Sequence, residues 1–125
     1  MKTAKNESVK VALRVRPLNK RETEMNSPLC VETKENILSI RKGADIKDFV
    51  FDYVFGIQTR QEEVYRSCGF SLVENALEGF NGTVFAYGQT GAGKTFTMVG
   101  DYKDPEWQGI IPRGFEHVIT AIQTS

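Results

Sequence analysis

The chain has 125 residues, with sixteen basic and sixteen acidic side chains and a formal net charge of zero. That length suits one small domain with a buried core and leaves no room for a second; the balanced charge gives no general attraction to nucleic acid or to an anionic membrane. There is no apolar run long enough for a membrane span, and Met1–Lys5 leads into no apolar signal segment.

Residues 1–8 are polar and are expected to be disordered. Val9–Arg16 alternates, with Val9, Val11, Leu13 and Val15 on one face, as a half-buried strand does. Pro17 ends it, because proline cannot donate to a ladder. Residues 18–28 are charged and read as a loop. Three β-type runs follow, Leu29–Thr33, Ile37–Ile40 and Phe49–Phe55, separated by turns at Lys34–Asn36 and Lys42–Asp45. Cys30 and Cys68 match no metal or redox spacing and read as reduced thiols of a cytosolic protein.

Thr59 and Glu62 have capping-box spacing, which predicts a helix from about Arg60 to Glu78. Its buried stripe would be Val64, Cys68, Leu72, Val73, Ala76 and Leu77. Thr83–Tyr87 lacks polar alternation and is bounded by glycines, as a strand buried on both faces of a parallel sheet would be. Thr95–Met98 should begin a helix, and Val99–Gly109 should form a surface loop. Pro112 suits the first turn of a further helix, with Phe115, Val118, Ile119 and Ile122 as its apolar face.

The chemistry concentrates in Gly88-Gln89-Thr90-Gly91-Ala92-Gly93-Lys94-Thr95, which fits G-x-x-x-x-G-K-[ST] in full. The glycines allow a tight turn and close approach to phosphate oxygens. Successive amides then form an anion nest, to which the next helix adds its free N-terminal amides. Lys94 supplies a point charge near the β- and γ-phosphates, and the Thr95 hydroxyl is offered to Mg²⁺. The expected ligand is ATP or ADP with Mg²⁺. Arg14 and Arg16 stand at the C-terminal end of a strand, the edge where α/β sheets bind ligands, though spacing alone favours a solvated strand face. Phe96 either stacks on a base or packs into the core. His117 has no acidic partner in view and reads as a solvated helical histidine.

The block Gly79–Met98, with Phe85-Ala86-Tyr87-Gly88-Gln89-Thr90-Gly91 at its centre, resembles the kinesin motor domain. Three further segments agree in the family's order: Arg14-Val15-Arg16-Pro17, Phe51-Asp52-Tyr53-Val54-Phe55 and Gly109-Ile110-Ile111-Pro112-Arg113. The resemblance runs from about residue 8 to the end. It implies an α/β P-loop NTPase fold, a central mostly parallel sheet flanked by helices with a small antiparallel lobe near residues 30–48.

It also implies that Arg14, Arg16 and Pro17 frame the adenine and that Phe96 stacks on its other side. Gln89–Lys94 would wrap the phosphates, Thr95 would hold Mg²⁺, and Tyr102–Gln108 would be the loop that interrupts the second helix. The implied protein is a cytoplasmic motor on the microtubule cytoskeleton, with tubulin as partner and ATP hydrolysis driving movement. The family's two switch segments, N-x-x-S-S-R and D-x-A-G-S-E, do not occur in this chain. Residues 9–125 are therefore expected to be the amino-terminal part of a motor, binding nucleotide without turning it over and poorly soluble alone. The competing readings are a non-catalytic interaction fragment and an unrelated P-loop NTPase such as a small-molecule kinase.

Overall fold

The structure, a computed structural model, describes residues 9–124, so the expected disordered stretch at residues 1–8 lies outside the described residues. The described chain divides into two compact units, Val9–Thr59 and residues 60–124.

In chain order the first unit holds β1 (Ala12–Arg14), α1 (Lys20–Glu24), β2 (Val31–Lys34), β3 (Ile37–Lys42), β4 (Asp45–Val50) and β5 (Tyr53–Phe55). β1 pairs with β5 in parallel, Leu13 opposite Val54. The ladder is shorter than the Val9–Arg16 alternation predicts, because its partner strand has only three residues. At Val11 the backbone N–H is instead taken by the Asp52 carboxylate at 2.7 Å. Val9 and Val11 are consequently exposed rather than buried.

β2, β3 and β4 form the expected antiparallel lobe, with Leu38 of β3 between Thr33 and Phe49. Leu38 is its buried residue. The predicted single strand Phe49–Phe55 is two strands. The chain leaves β4 at Phe51, whose N–H donates to the Asn36 carbonyl, and enters the parallel pair at Tyr53. Changing sheets breaks the common face, so Phe55 is buried while Phe49 and Tyr53 are exposed.

Residues 18–28 are also more than a loop. Asn19 accepts the Glu22 N–H at 2.8 Å, and Glu22 accepts the Asn19 N–H at 3.0 Å, a complete capping box that starts α1.

The second unit holds α2 (Gln61–Cys68), α3 (Phe70–Leu77), α4 (Lys94–Met98), a 3-10 turn at Pro105–Trp107 and α5 (Ile110–Thr124). α2 begins one residue later than predicted. Arg60 is its cap and makes no side-chain capping bond, so Thr59 stands too far back to cap. Glu62 turns to Arg66 one turn on, at 2.5 Å. The predicted helix breaks at Gly69, where a Cβ would stand 2.6 Å from the Tyr65 ring. Val64 and Tyr65 are buried, whereas Leu77 is exposed.

Thr83–Tyr87 is not a strand here. Among the described residues it pairs with no neighbour, and Phe85 and Tyr87 are 82% and 98% exposed. The apolar run states what the segment needs, but a ladder also requires a second segment. α5 starts at the predicted place, with Pro112 in its first turn. Its expected apolar face is largely uncovered: Phe115, Ile119 and Ile122 are exposed. No helix among the described residues is long and apolar enough to cross a membrane.

Candidate nucleotide site

The second unit contains all of Gly88–Phe96. The segment opens with a turn in which the Ala92 N–H donates to the Gln89 carbonyl at 3.0 Å. Gly91 and Gly93 both lie in the left-handed region, at φ +84° and +105°, where a side chain is strained. A Cβ on Gly88 would press on Ala92 at 3.1 Å. These three positions give a closely folded backbone with little side-chain cover; Gln89, Thr90, Gly91 and Ala92 are exposed.

Gly93 is also the cap of α4 and, as a glycine, makes no side-chain capping bond. Lys94 is the first helical residue and Thr95 the second. No carboxylate among the described residues pairs with Lys94. Phe96 follows, 40% exposed, its ring 6.1 Å from that of Trp107 and tilted by 48°.

α4 is held from below by a residue that the sequence reading passed over. Gln61 is 3% exposed, and its side-chain amide donates to the Phe96 carbonyl at 2.7 Å and the Trp107 carbonyl at 3.2 Å. Nothing in the spacing marks it, since its two acceptors lie 35 and 46 residues away. Arg113 organises the same loop. Its Nε donates to the Gln108 carbonyl at 2.8 Å, and its Nη2 donates to those of Pro105 and Glu106 at 2.9 and 3.1 Å. The predicted surface loop Val99–Gly109 is therefore closed by hydrogen bonds at both ends.

Arg14, Arg16 and Pro17 belong to the first unit. Arg14 ends β1, half-buried, and donates to the Thr59 carbonyl at 3.3 Å; burial pushes its guanidinium pKa down. Arg16 grips Glu22 with both arms of its fork, at 2.6 and 2.9 Å. These bonds, with the Asn19 N–H, hold the Glu22 carboxyl down at about 2, and Glu22 in turn raises Arg16. Neither arginine is simply a solvated strand residue. Pro17 is exposed.

His117 corrects its sequence reading. It does have an acidic partner: Nε2 lies 2.9 Å from Glu74, while Nδ1 lies 2.6 Å from the Tyr65 hydroxyl. Phe70 stacks on its ring at 4.7 Å. Burial and the Glu74 charge raise the Tyr65 pKa. The partners come from α2 and α3, which only packing brings to α5. Cys30 and Cys68 are both free thiols, and burial pushes Cys68 up.

Comparison with known proteins agrees with the resemblance to the kinesin motor domain. The family model described as kinesin motor domain matches residues 14–125. Kinesin-like protein KIF3C of Bos taurus is 41% identical over 99% of this chain and 16% of its own length. Kinesin-like protein KIF15 of Mus musculus is 42% identical over 93% of this chain and 9% of its own length. The same protein of Rattus norvegicus is 41% identical over 94% of the chain and also 9% of its length. The chain therefore spans a small fraction of the relatives it matches, and it belongs to the kinesin motor domain family.

Proposed function

We propose that this chain is the nucleotide-binding part of a microtubule-based motor, taking ATP or ADP with Mg²⁺ at Gly88–Thr95. The observation that carries the proposal is the tightly folded loop of Gly88, Gly91 and Gly93 leading into α4, with no carboxylate among the described residues paired to Lys94. Such a loop fits phosphate: backbone amides can surround the oxygens, and Lys94 can offset their charge. Thr95 would offer its hydroxyl to Mg²⁺, whose bound form would neutralise charge between the β- and γ-phosphates. From the family resemblance, Arg14, Arg16 and Pro17 are read as adenine-contacting residues and Phe96 as a base-stacking one. Glu22 fixes the fork of Arg16, so that side chain would meet a base in one orientation.

Family membership supports movement along microtubules, driven by ATP hydrolysis, in a protein of the relatives' length. It also supports a cytoskeletal location and tubulin as partner. Neither switch motif occurs in these 125 residues, so the chain alone binds nucleotide without turnover.

The test is a titration of the chain with a ribose-labelled fluorescent ATP in the presence of Mg²⁺. Saturable binding is expected. Lys94→Ala should weaken it about 10- to 100-fold, from the roughly 1.5–3 kcal/mol of a hydrogen bond to a charged group. Equal binding by wild type and Lys94→Ala would overturn the phosphate site. Microtubule-stimulated hydrolysis by the chain alone would overturn the claim of binding without turnover.

A further inference from the structure

We propose that Gln61 is the positioning residue of the phosphate loop, fastening α4 to the Val99–Gly109 loop so that the two move as one body. The proposal rests on the reading of Gly88–Thr95 as the phosphate site.

The reason lies in how α4 ends. In a regular helix the Phe96 carbonyl would accept the Gly100 N–H, four residues on. Here Gly100 donates to Thr95 instead, at 3.1 Å, alongside Val99 at 2.8 Å. The Phe96 carbonyl is therefore not bonded to Gly100, and a hydrogen bond to it contributes about 0.5–1.5 kcal/mol. The Gln61 amide donates to it at 2.7 Å from a side chain that is 3% exposed.

The same nitrogen reaches the Trp107 carbonyl, which also accepts the Asp101 N–H at 3.0 Å. One side chain therefore joins the helix that begins with Lys94 and Thr95 to the far arm of the loop. The backbone is shaped to admit it. Gly100 has φ +65°, and a Cβ there would stand 3.0 Å from the Gln61 amide and collide with the Trp107 carbonyl. The other arm is equally close: a Cβ on Gly109 would stand 2.6 Å from the Thr97 carbonyl, and the Gly109 N–H donates to Val99 at 2.9 Å.

A phosphate that draws in Lys94 and the first amides of α4 must then shift the loop as well. Trp107 is the single tryptophan of the chain, so its emission reports that shift without labelling.

The experiment titrates the full chain with Mg·ATP while following Trp107 emission, and separately measures affinity with the labelled nucleotide. In wild type both signals should saturate at one midpoint. Gln61→Met keeps the side-chain length but has no donor; it should bind about tenfold more weakly and lose the Trp107 response while keeping wild-type circular dichroism. Gln61→Glu should recover part of the response as pH falls, because the neutral acid has one O–H to donate and the carboxylate has none. A folded Gln61→Met with wild-type affinity and emission response would overturn the proposal.

If both variants unfold, the wild-type Gln61 side-chain amide decides: slow proton exchange and a shift on adding Mg·ATP support it, and exchange as fast as free glutamine overturns it. If wild type binds no nucleotide, the phosphate-site reading itself fails. Gln61 is then judged by backbone amide exchange in the free protein. Gln61→Met should accelerate residues 94–98 and 99–109 together, and acceleration of neither would overturn its role.

Discussion

Glu22 shows how one residue sets both a local fold and the bearing of a candidate site side chain. Its carboxylate closes the cap of α1 through the Asn19 N–H and receives both arms of the Arg16 guanidinium. These bonds hold its pKa at about 2, below the ordinary 4.5. A carboxyl depressed on folding adds stability above its unfolded pKa and loses it as pH falls through the folded value. The stability from the Arg16–Glu22 clamp should therefore be complete at pH 5 and decline as pH falls below about 4.5, and the clamp itself should release at about 2. The Glu22 side-chain carbonyl resonance, followed by pH, is expected to titrate near the lower limit; Arg16→Gln should move its midpoint back toward 4.5. A wild-type midpoint already at 4.5 would mean that the clamp does not form in solution. At this scale the sequence was uneven. Lys94 and the glycines of its loop are legible because their chemistry is local. Gln61 and His117 are not, because each acts on residues more than thirty positions away.

The break between α2 and α3 is where element-level reasoning from sequence misleads. Helix propensity treats Gly69 as a defect that Ala would repair by about 1 kcal/mol. The structure instead puts the Tyr65 ring over that position, 2.6 Å from where a Cβ would sit, with the Tyr65 hydroxyl committed to His117. Overpacking of a filled site costs about 1–3 kcal/mol, so Gly69→Ala should destabilise on balance, by about 1 kcal/mol. Urea unfolding followed by circular dichroism measures this, and a rise in midpoint would show that the ring moves aside freely. The other elements divide by the same logic. The antiparallel lobe was legible because its turn residues and short β-rich runs are contiguous. The cap of α1 was legible in principle, since Asn19 and Glu22 have the spacing of the box expected at Thr59 and Glu62. The ends of β1 and β5 were not, because a strand's length is fixed by its partner.

For the whole chain, the decisive feature is apolar surface that nothing among the described residues covers. Phe85 and Tyr87 are 82% and 98% exposed on a segment without a ladder partner, and Phe115 and Ile122 of α5 are 67% and 64% exposed. The composition of Thr83–Tyr87 is that of a strand buried on both faces, so the sequence pattern and the observed exposure disagree. Burying one large apolar side chain contributes about 1.5–3 kcal/mol, and unpaired backbone beside it can add strand pairing between copies. The 125-residue chain should therefore self-associate as concentration rises, with sedimentation velocity showing a growing fraction above the monomer. Phe85→Thr with Tyr87→Thr keeps β propensity, removes the two most exposed aromatic rings and leaves Gly88–Thr95 unchanged. That double variant should sediment as a smaller species at the same concentration. If wild type stays monomeric across the range, the exposed run does not drive association; if the variant associates as strongly, the α5 face is the surface responsible.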